Sequence, residues 1–288
     1  MSWRKVVVTN KCKLSYKEGY MIIRNEETNM IHISEIHTLV IDTTATSITT
    51  HLLSELVKSK VKIIFCDEKR LPYSEIVPYY GSHNSSKKIR QQIHWEDENK
   101  ILVWTEIIRQ KIKNQSILLR KHKYDNQKLN TYIDELQFAD VTNREGHASK
   151  VYFNKLFGHG FTRDDDSGVN AALNYGYSIL LSSFSKEIVS LGYLTQLGFM
   201  HRNEYNHFNL ASDLMEPFRV LVDELVYKNK KEEFNLEYKV KLISILDKKM
   251  EYKGSQQYIS NIIPQYLGSI FKAVESSDIN ELHMFEYL

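Results

Sequence analysis

Residues 195–219, TQLGFMHRNEYNHFNLASDLMEPFR, place histidine and carboxylate side chains within a few turns of one another. His201 follows the apolar run Gly198-Phe199-Met200. Asp213 and Glu216 stand three apart at the start of a predicted helix, a spacing that turns both carboxylates to one face. One more acid would complete a cation site. The best candidate is Glu145, in Thr142-Asn143-Arg144-Glu145-Gly146, which also falls in the first turn of a predicted helix. Two or three carboxylates and one imidazole, with no thiolate close in sequence, suit Mg²⁺ or Mn²⁺ better than a structural zinc ion. Such cations serve phosphodiester chemistry: they polarise the phosphoryl group and favour the deprotonated form of an attacking water or hydroxyl.

Each of these residues also has a plain structural reading. Thr142-x-x-Glu145 fits a capping box, in which the glutamate turns back to the N-cap backbone. Asp213 and Glu216 would stabilise the positive end of a helix dipole. Pro217 disfavours helical geometry at Glu216 and implies an irregular entry that aims its carboxylate. His201 and His207 are equally placed by spacing, so the residues alone do not choose between them. The run Asp164-Asp165-Asp166 resembles a second metal site but reads better as a loop before the next helix, because neighbouring acids repel without a fixed cage.

The elements that must position these groups fall into two parts. Short β-branched or aromatic runs at residues 3–8, 13–16, 20–24, 30–33, 37–42 and 61–66 predict strands, with helical apolar spacing at 47–58. That describes a small sheet carrying one helix. Pro72, Pro78 and the polar stretch at 81–86 mark a boundary, giving a β-domain over 1–77, a linker over 78–86 and a helical catalytic domain over 87–288. The fold class is α+β, with a larger all-helical second domain. Ile101, Trp104, Ile108, Ile112 and Leu119 recur at helical intervals, while Arg109, Lys113 and Arg120 track another face. Further helices are predicted at 129–136, 143–156, 169–191, 221–227, 236–246 and 258–274. Small residues such as Ala172 and Gly176 would allow close packing, and Pro264 would break or kink the last helix.

Composition narrows the function classes. With 288 residues, 42% hydrophobic and 26% charged, the chain can bury a sizeable core. No apolar run approaches the roughly 18–20 residues of a membrane span, and the first ten residues do not read as a signal peptide, which predicts a cytoplasmic protein. Its only cysteines, Cys12 and Cys66, suggest no disulfide or zinc framework, and Cys66 reads as a buried core thiol. A net charge of +2 does not by itself imply a polyanionic partner. Residues 100–128, however, hold eight basic residues against two acids. The plain reading of the basic face through Arg109, Lys113 and Arg120 is a solvated helix face; the functional one, carried here as an expectation, is that it lines a DNA path and contacts the phosphate backbone.

Four motifs taken in order carry a family resemblance over nearly the whole chain: Asn143-Arg144-Glu145-Gly146-His147-Ala148, the stretch NAALNYGY at 170–177, Gly198-Phe199-Met200-His201, and Ser212-Asp213-Leu214-Met215-Glu216-Pro217-Phe218-Arg219. Together they resemble the CRISPR-associated adaptation integrases, the Cas-one family, and specifically its type II branch. The openings WRKVVV at 3–8 and FCDEKRLP at 65–72 are similar to that branch as well. The resemblance implies that Glu145, His201 and Glu216 are the metal ligands and catalytic residues, favouring His201 over His207. Asp213 and Arg219 would then stand beside the metal ligands. The implied activity is integration of short foreign DNA into a CRISPR array, by attack of the fragment's 3′-hydroxyl on repeat-end phosphodiesters, with Mg²⁺ or Mn²⁺. The implied partners are double-stranded DNA, a second copy of the chain in a homodimer, a small ferredoxin-like adaptation protein, a DNA-encircling ring protein and the effector nuclease. Two rival readings remain: a structure-specific metal-dependent nuclease using water, and a DNA-binding scaffold without catalysis.

Overall fold

The computed structural model describes residues 4–76, 78 and 84–287. It divides into two compact units, Met1–Tyr79 and Tyr80–Leu288. Of the expected linker over 78–86, residues 79–83 lie outside the described residues, and Ser85 already begins a helix.

In the first unit the predicted strands form, but in two sheets rather than one. β1 (Arg4–Val8), β2 (Lys13–Lys17), β3 (Tyr20–Arg24), β4 (Thr28–His32), β5 (Ile36–Ile41), β6 (Ser47–Ile48), α1 (Thr50–Lys58), β7 (Lys62–Cys66) and β8 (Pro72–Glu75) follow in order. One sheet runs β1-β5-β7-β8, its first three strands parallel, and the other runs β4-β3-β2-β6. Val6, Leu14, Met21, Leu39 and Ile63 meet Leu52 and Leu56 of α1 in a single core. β5 and β7 are near-continuous apolar runs, as buried parallel strands require. Sheet membership is a matter of long-range pairing, which local apolar alternation does not encode. Cys12 and Cys66 are both buried thiols.

Among its described residues the second unit is helical except for one hairpin. It comprises α2 (Ser85–Ile93), α3 (Asp97–Lys121), α4 (Gln127–Asp134), α5 (Arg144–Phe157), α6 (Gly168–Ser190), α7 (Asn209–Leu214), α8 (Arg219–Lys228) and α9 (Leu236–Ile243). The antiparallel pair β9 (Lys249–Tyr252) and β10 (Ser255–Tyr258) then leads into α10 (Ile259–Ser276). That hairpin corrects the all-helical expectation: four-residue strands are too short to show a period against flanking helices. α10 runs on through Pro264, whose place near the helix start forgoes only one backbone hydrogen bond. Among the described residues no helix is long and apolar enough to cross a membrane.

α6 is buried along most of its length, through Leu173, Ile179, Leu180, Phe184 and Ile188. Gly176 lets it approach α8, because a Cβ there would overlap the side chain of Val222. α3 crosses this core. Asn114, fully buried on α3, donates to the carbonyls of Pro217 (2.8 Å) and Phe285 (3.0 Å) and accepts from the Tyr287 N–H (3.0 Å). One side chain thereby clamps the turn containing Glu216 to the helix that carries Lys111.

Candidate functional site

Glu145 is positioned by the way α5 starts. The expected capping box does not form. Instead the N-cap is Asn143, whose side chain accepts the Gly146 N–H, and Asp140 accepts the N–H groups of Arg144 (2.6 Å) and Glu145 (2.9 Å). With its helix end already capped, Glu145 is available elsewhere. Its Oε1 accepts from Ser149 Oγ at 3.1 Å and from Lys111 Nζ at 2.5 Å. The turn that makes this possible is strained: Ala139, Asp140 and Asn143 have φ of 61°, 46° and 51°.

Glu216 reaches the same ammonium from another element. α7 ends at Leu214, and Glu216–Phe218 form a 3-10 turn with Pro217 at its start, the irregular entry the sequence implies. Glu216 is buried, with Oε2 2.6 Å from Lys111 Nζ and Oε1 3.0 Å from a terminal nitrogen of Arg219. The Arg219 guanidinium lies over the Tyr177 ring, 4.6 Å from its centroid. Burial would raise the Glu216 carboxyl, but Arg219 and Lys111 outweigh it and hold it below the usual value. Lys111 likewise holds the Glu145 carboxyl down against burial. Burial opposes the charge on Lys111 itself, yet Glu216 and Glu145 raise its pKa above the ordinary lysine value.

His201 is oriented by Asp213. The Asp213 carboxylate is completely buried and accepts the backbone N–H groups of Phe199 (2.6 Å), Met200 (3.1 Å) and His201 (3.3 Å), with His201 Nδ1 at 2.6 Å. A carboxylate can only accept, so Nδ1 carries a proton, and in the neutral ring Nε2 keeps its lone pair. The hydrogen bond that His201 donates to Asp213 raises the imidazole pKa, against burial. Gly198 is required for this close approach, since a Cβ would fall 2.8 Å from Asp213 Oδ2 and 2.5 Å from the His201 carbonyl oxygen. Asp213 and Glu216 therefore do not share one face as expected. The helix stops between them, and one carboxylate turns to the 199–201 backbone while the other turns to Lys111.

Lys111, Glu145, Glu216 and Arg219 line a cavity of about 540 Å³ together with Lys150, Arg163 and Tyr177. Arg163 is held by Asn170 and by Asn174 (2.6 Å). His201 and His207 line a different cavity, of about 490 Å³. Among the described residues no three His, Cys, Asp or Glu side chains converge closely enough to hold a cation in this arrangement. The donor set nonetheless suits one. A cation of the chain's own, the Lys111 ammonium, stands between the two carboxylates, 2.5 Å from Glu145 Oε1 and 2.6 Å from the buried Glu216 Oε2. His201 lies within electrostatic reach of Glu216, each favouring the other's charged form.

The cavity also contains Asp223, which accepts from Tyr177 and from Tyr152 (2.9 Å). Burial raises its carboxyl from 3.8 to about 6, against the lowering effect of both tyrosines. A folded-state pKa above the unfolded one means that the native protein binds the extra proton. This group's contribution therefore falls by about 3 kcal/mol as pH rises from about 4 to about 6. The stability difference between wild type and Asp223→Asn, from urea unfolding across that range, should show this slope; a flat difference would disprove the assignment.

Of the basic face, Arg109 is engaged within the fold: it pairs with Glu106 at 3.2 Å and donates to the carbonyls of Ile133 (2.8 Å) and Leu136 (3.4 Å). It binds the end of α4. Lys113 forms a half-exposed pair with Glu286, and Arg120 is exposed. The Asp164–Asp166 run belongs to a loop in which the Asp165 carbonyl accepts from Asn170. Sequence reasoning missed Lys111, Asp140, Ser149, Arg163 and Asp223. Lys111 counted only as one more base on a helix, and nothing in its spacing separates it from Lys113.

A strand-rich unit is thus followed by a helical unit that carries this carboxylate pair. The family model for CRISPR-associated protein Cas1 matches residues 6–240, and the chain belongs to that family. It is 37% identical over 226 residues, 77% of this chain and 74% of the relative, to the CRISPR-associated endonuclease Cas1 of Neisseria meningitidis serogroup C (strain 8013). It is 27% identical over 274 residues, 86% of each chain, to CRISPR-associated endonuclease Cas1 1 of Francisella tularensis subsp. novicida (strain U112). The fold is that of a Cas1 protein from Thermotoga maritima (TM-score 0.79, 17% identity, 99% of this chain and 100% of that one). It is shared with a casposase solved bound to its integration product (TM-score 0.78, 19% identity, 96% and 91%).

Proposed function

We propose that this chain is a divalent-cation-dependent DNA endonuclease and integrase of CRISPR adaptation, with Glu145, His201 and Glu216 as cation ligands and catalytic residues. The observation that carries it is the carboxylate pair around Lys111 in a cavity that Lys150, Arg163 and Arg219 also line, with Asp223 tied to Tyr177 and Tyr152. An anionic pair inside a cationic cavity suits a cation and a phosphodiester together. Mg²⁺ or Mn²⁺, when bound, supplies polarisation of the scissile phosphoryl group and neutralises charge on its oxygens. Arg219 and Arg163 hold the phosphate oxygens: Arg219 Nε is buried and makes no hydrogen bond, leaving a donor for an anion. Asp213 fixes the imidazole so that His201 Nε2 faces outward as a ligand. The 3′-hydroxyl of a short fragment displaces a strand at the repeat end. One phosphodiester replaces another, so the exchange needs no energy source.

The family membership supports partners of the same kind: double-stranded DNA, a homodimeric second copy, and a small ferredoxin-like adaptation protein. A type II setting adds the ring protein and effector nuclease, in the cytoplasm. The endonuclease names of both relatives favour a second reading, hydrolysis at the same site with water as nucleophile.

The test is strand joining of a labelled short duplex to a plasmid bearing leader and repeat, with the ferredoxin-like partner and Mn²⁺ or Mg²⁺. Wild type should join, and His201→Ala should lose joining while still binding DNA. Joining unaffected in the variant would remove His201 from the site, and cleavage without joining would select hydrolysis. The DNA path is tested separately. Replacing Lys113 and Arg120 together by alanine should weaken binding equally for all sequences and lower the salt slope by about 2. An unchanged slope in a fluorescence-anisotropy titration would exclude that face.

A further inference from the structure

The position of Lys111 has a consequence for how the site is loaded. Its ammonium stands 2.5 Å from Glu145 Oε1 and 2.6 Å from Glu216 Oε2, bridging carboxylates supplied by two different elements. Its side chain is largely buried, so it is held there by the fold as well as by charge. With Arg219 on the other oxygen of Glu216, two cationic side chains meet two carboxylates, and the cluster is neutral without any added ion. Mg²⁺ takes oxygen ligands at about 2.0–2.1 Å. It would need the oxygens Lys111 holds and would lie against a positive charge in a partly buried site, where charge repulsion is weakly screened.

We propose that Lys111 is a built-in counter-cation that occupies the metal position of the metal-free protein. It keeps Glu145 and Glu216 from repelling each other, and it competes with the incoming ion. On loading, the ammonium gives up both carboxylates and turns along the cavity it lines, towards Arg163 and Arg219, where it meets the phosphate of the DNA. The chain then carries a device that sets metal affinity low enough for the site to fill readily only when DNA brings a new partner for Lys111. This rests on the cation-site reading above, and the two are separable by experiment.

Mn²⁺ binding to the full-length protein without DNA, followed by the EPR signal of the free ion, reads the competition without reference to activity. Lys111→Met should bind Mn²⁺ about tenfold or more tightly than wild type, and its melting temperature should rise further on Mn²⁺ addition than that of wild type. Lys111→Arg, which keeps the charge, should stay close to wild type. Lys111→Gln serves if the methionine variant does not fold. A neutral variant binding no more tightly than wild type, with Glu216→Gln abolishing the binding, would overturn the role of Lys111 and leave the cation site standing. Wild-type binding that Glu216→Gln does not change would overturn both.

Discussion

Replacing Glu216 by glutamine should lower cation-dependent strand joining by about 10²–10³-fold, the scale seen when one charge-stabilising group is taken from a preorganised site. Glutamine keeps the shape and removes the charge. It leaves Lys111 with one carboxylate partner and takes the counter-charge from Arg219, in a place where Glu216 is buried. Breaking such a cluster from one side costs about 3–5 kcal/mol. Joining must therefore be measured below the variant's own unfolding transition, with circular dichroism confirming the fold. The sign with pH is set by the same contacts. Because the folded-state pKa of Glu216 is depressed, its stabilising contribution is present above the unfolded value of 4.5 and is lost as pH falls through the folded value. The stability difference between wild type and Glu216→Gln should shrink on acidification below about 4.5. Full joining activity in a folded Glu216→Gln protein would disprove the assignment.

Asp213→Asn should be the most damaging conservative change outside the carboxylate pair, at about 3–5 kcal/mol of stability. The native carboxylate is fully buried and accepts three backbone N–H groups and the His201 ring. An asparagine must turn a donor towards one of these donors. The loop that presents His201 should loosen, and the His201 pKa should fall, read by NMR from its ring protons. The imidazole pKa is raised in the folded protein, so the pair contributes fully below the unfolded value of 6.5 and less as pH rises through the folded value. The backbone hydrogen bonds do not titrate with it, and most of the loss should persist at high pH. A stable Asp213→Asn variant with an unchanged His201 titration would show that the carboxylate does not orient the ring.

Much of this site is legible in short stretches of the chain taken one at a time. The spacing of Glu145 from Thr142 and Asn143 already places it at a helix start, because N-cap chemistry is local. Pro217 announces the irregular turn that points Glu216 away from its helix. Gly198, three residues before His201, has its reason in the close approach of Asp213 to the backbone, which the tertiary fold supplies and spacing does not. The family resemblance chose His201 over His207, a choice that periodicity could not make, and membership in the Cas1 family bears out the resemblance itself.

The sequence by itself determined the two-part α+β character, the positions of most strands and helices, Glu145 at a helix start and the irregular turn at Glu216, since apolar period, capping and proline effects act over a few residues. Tertiary structure decided what those acids face. Lys111 lies 34 residues before Glu145 and comes from a helix whose bases look alike in sequence. Only the packing of α3 against α5 and the Glu216 turn, fixed by buried Asn114, selects that one lysine for the carboxylates. The same cause divided the strands between two sheets and turned Arg109 to the end of α4. Local free energies set where an element begins and ends, whereas the partner of a charged side chain is set by chain segments brought together only when the core closes.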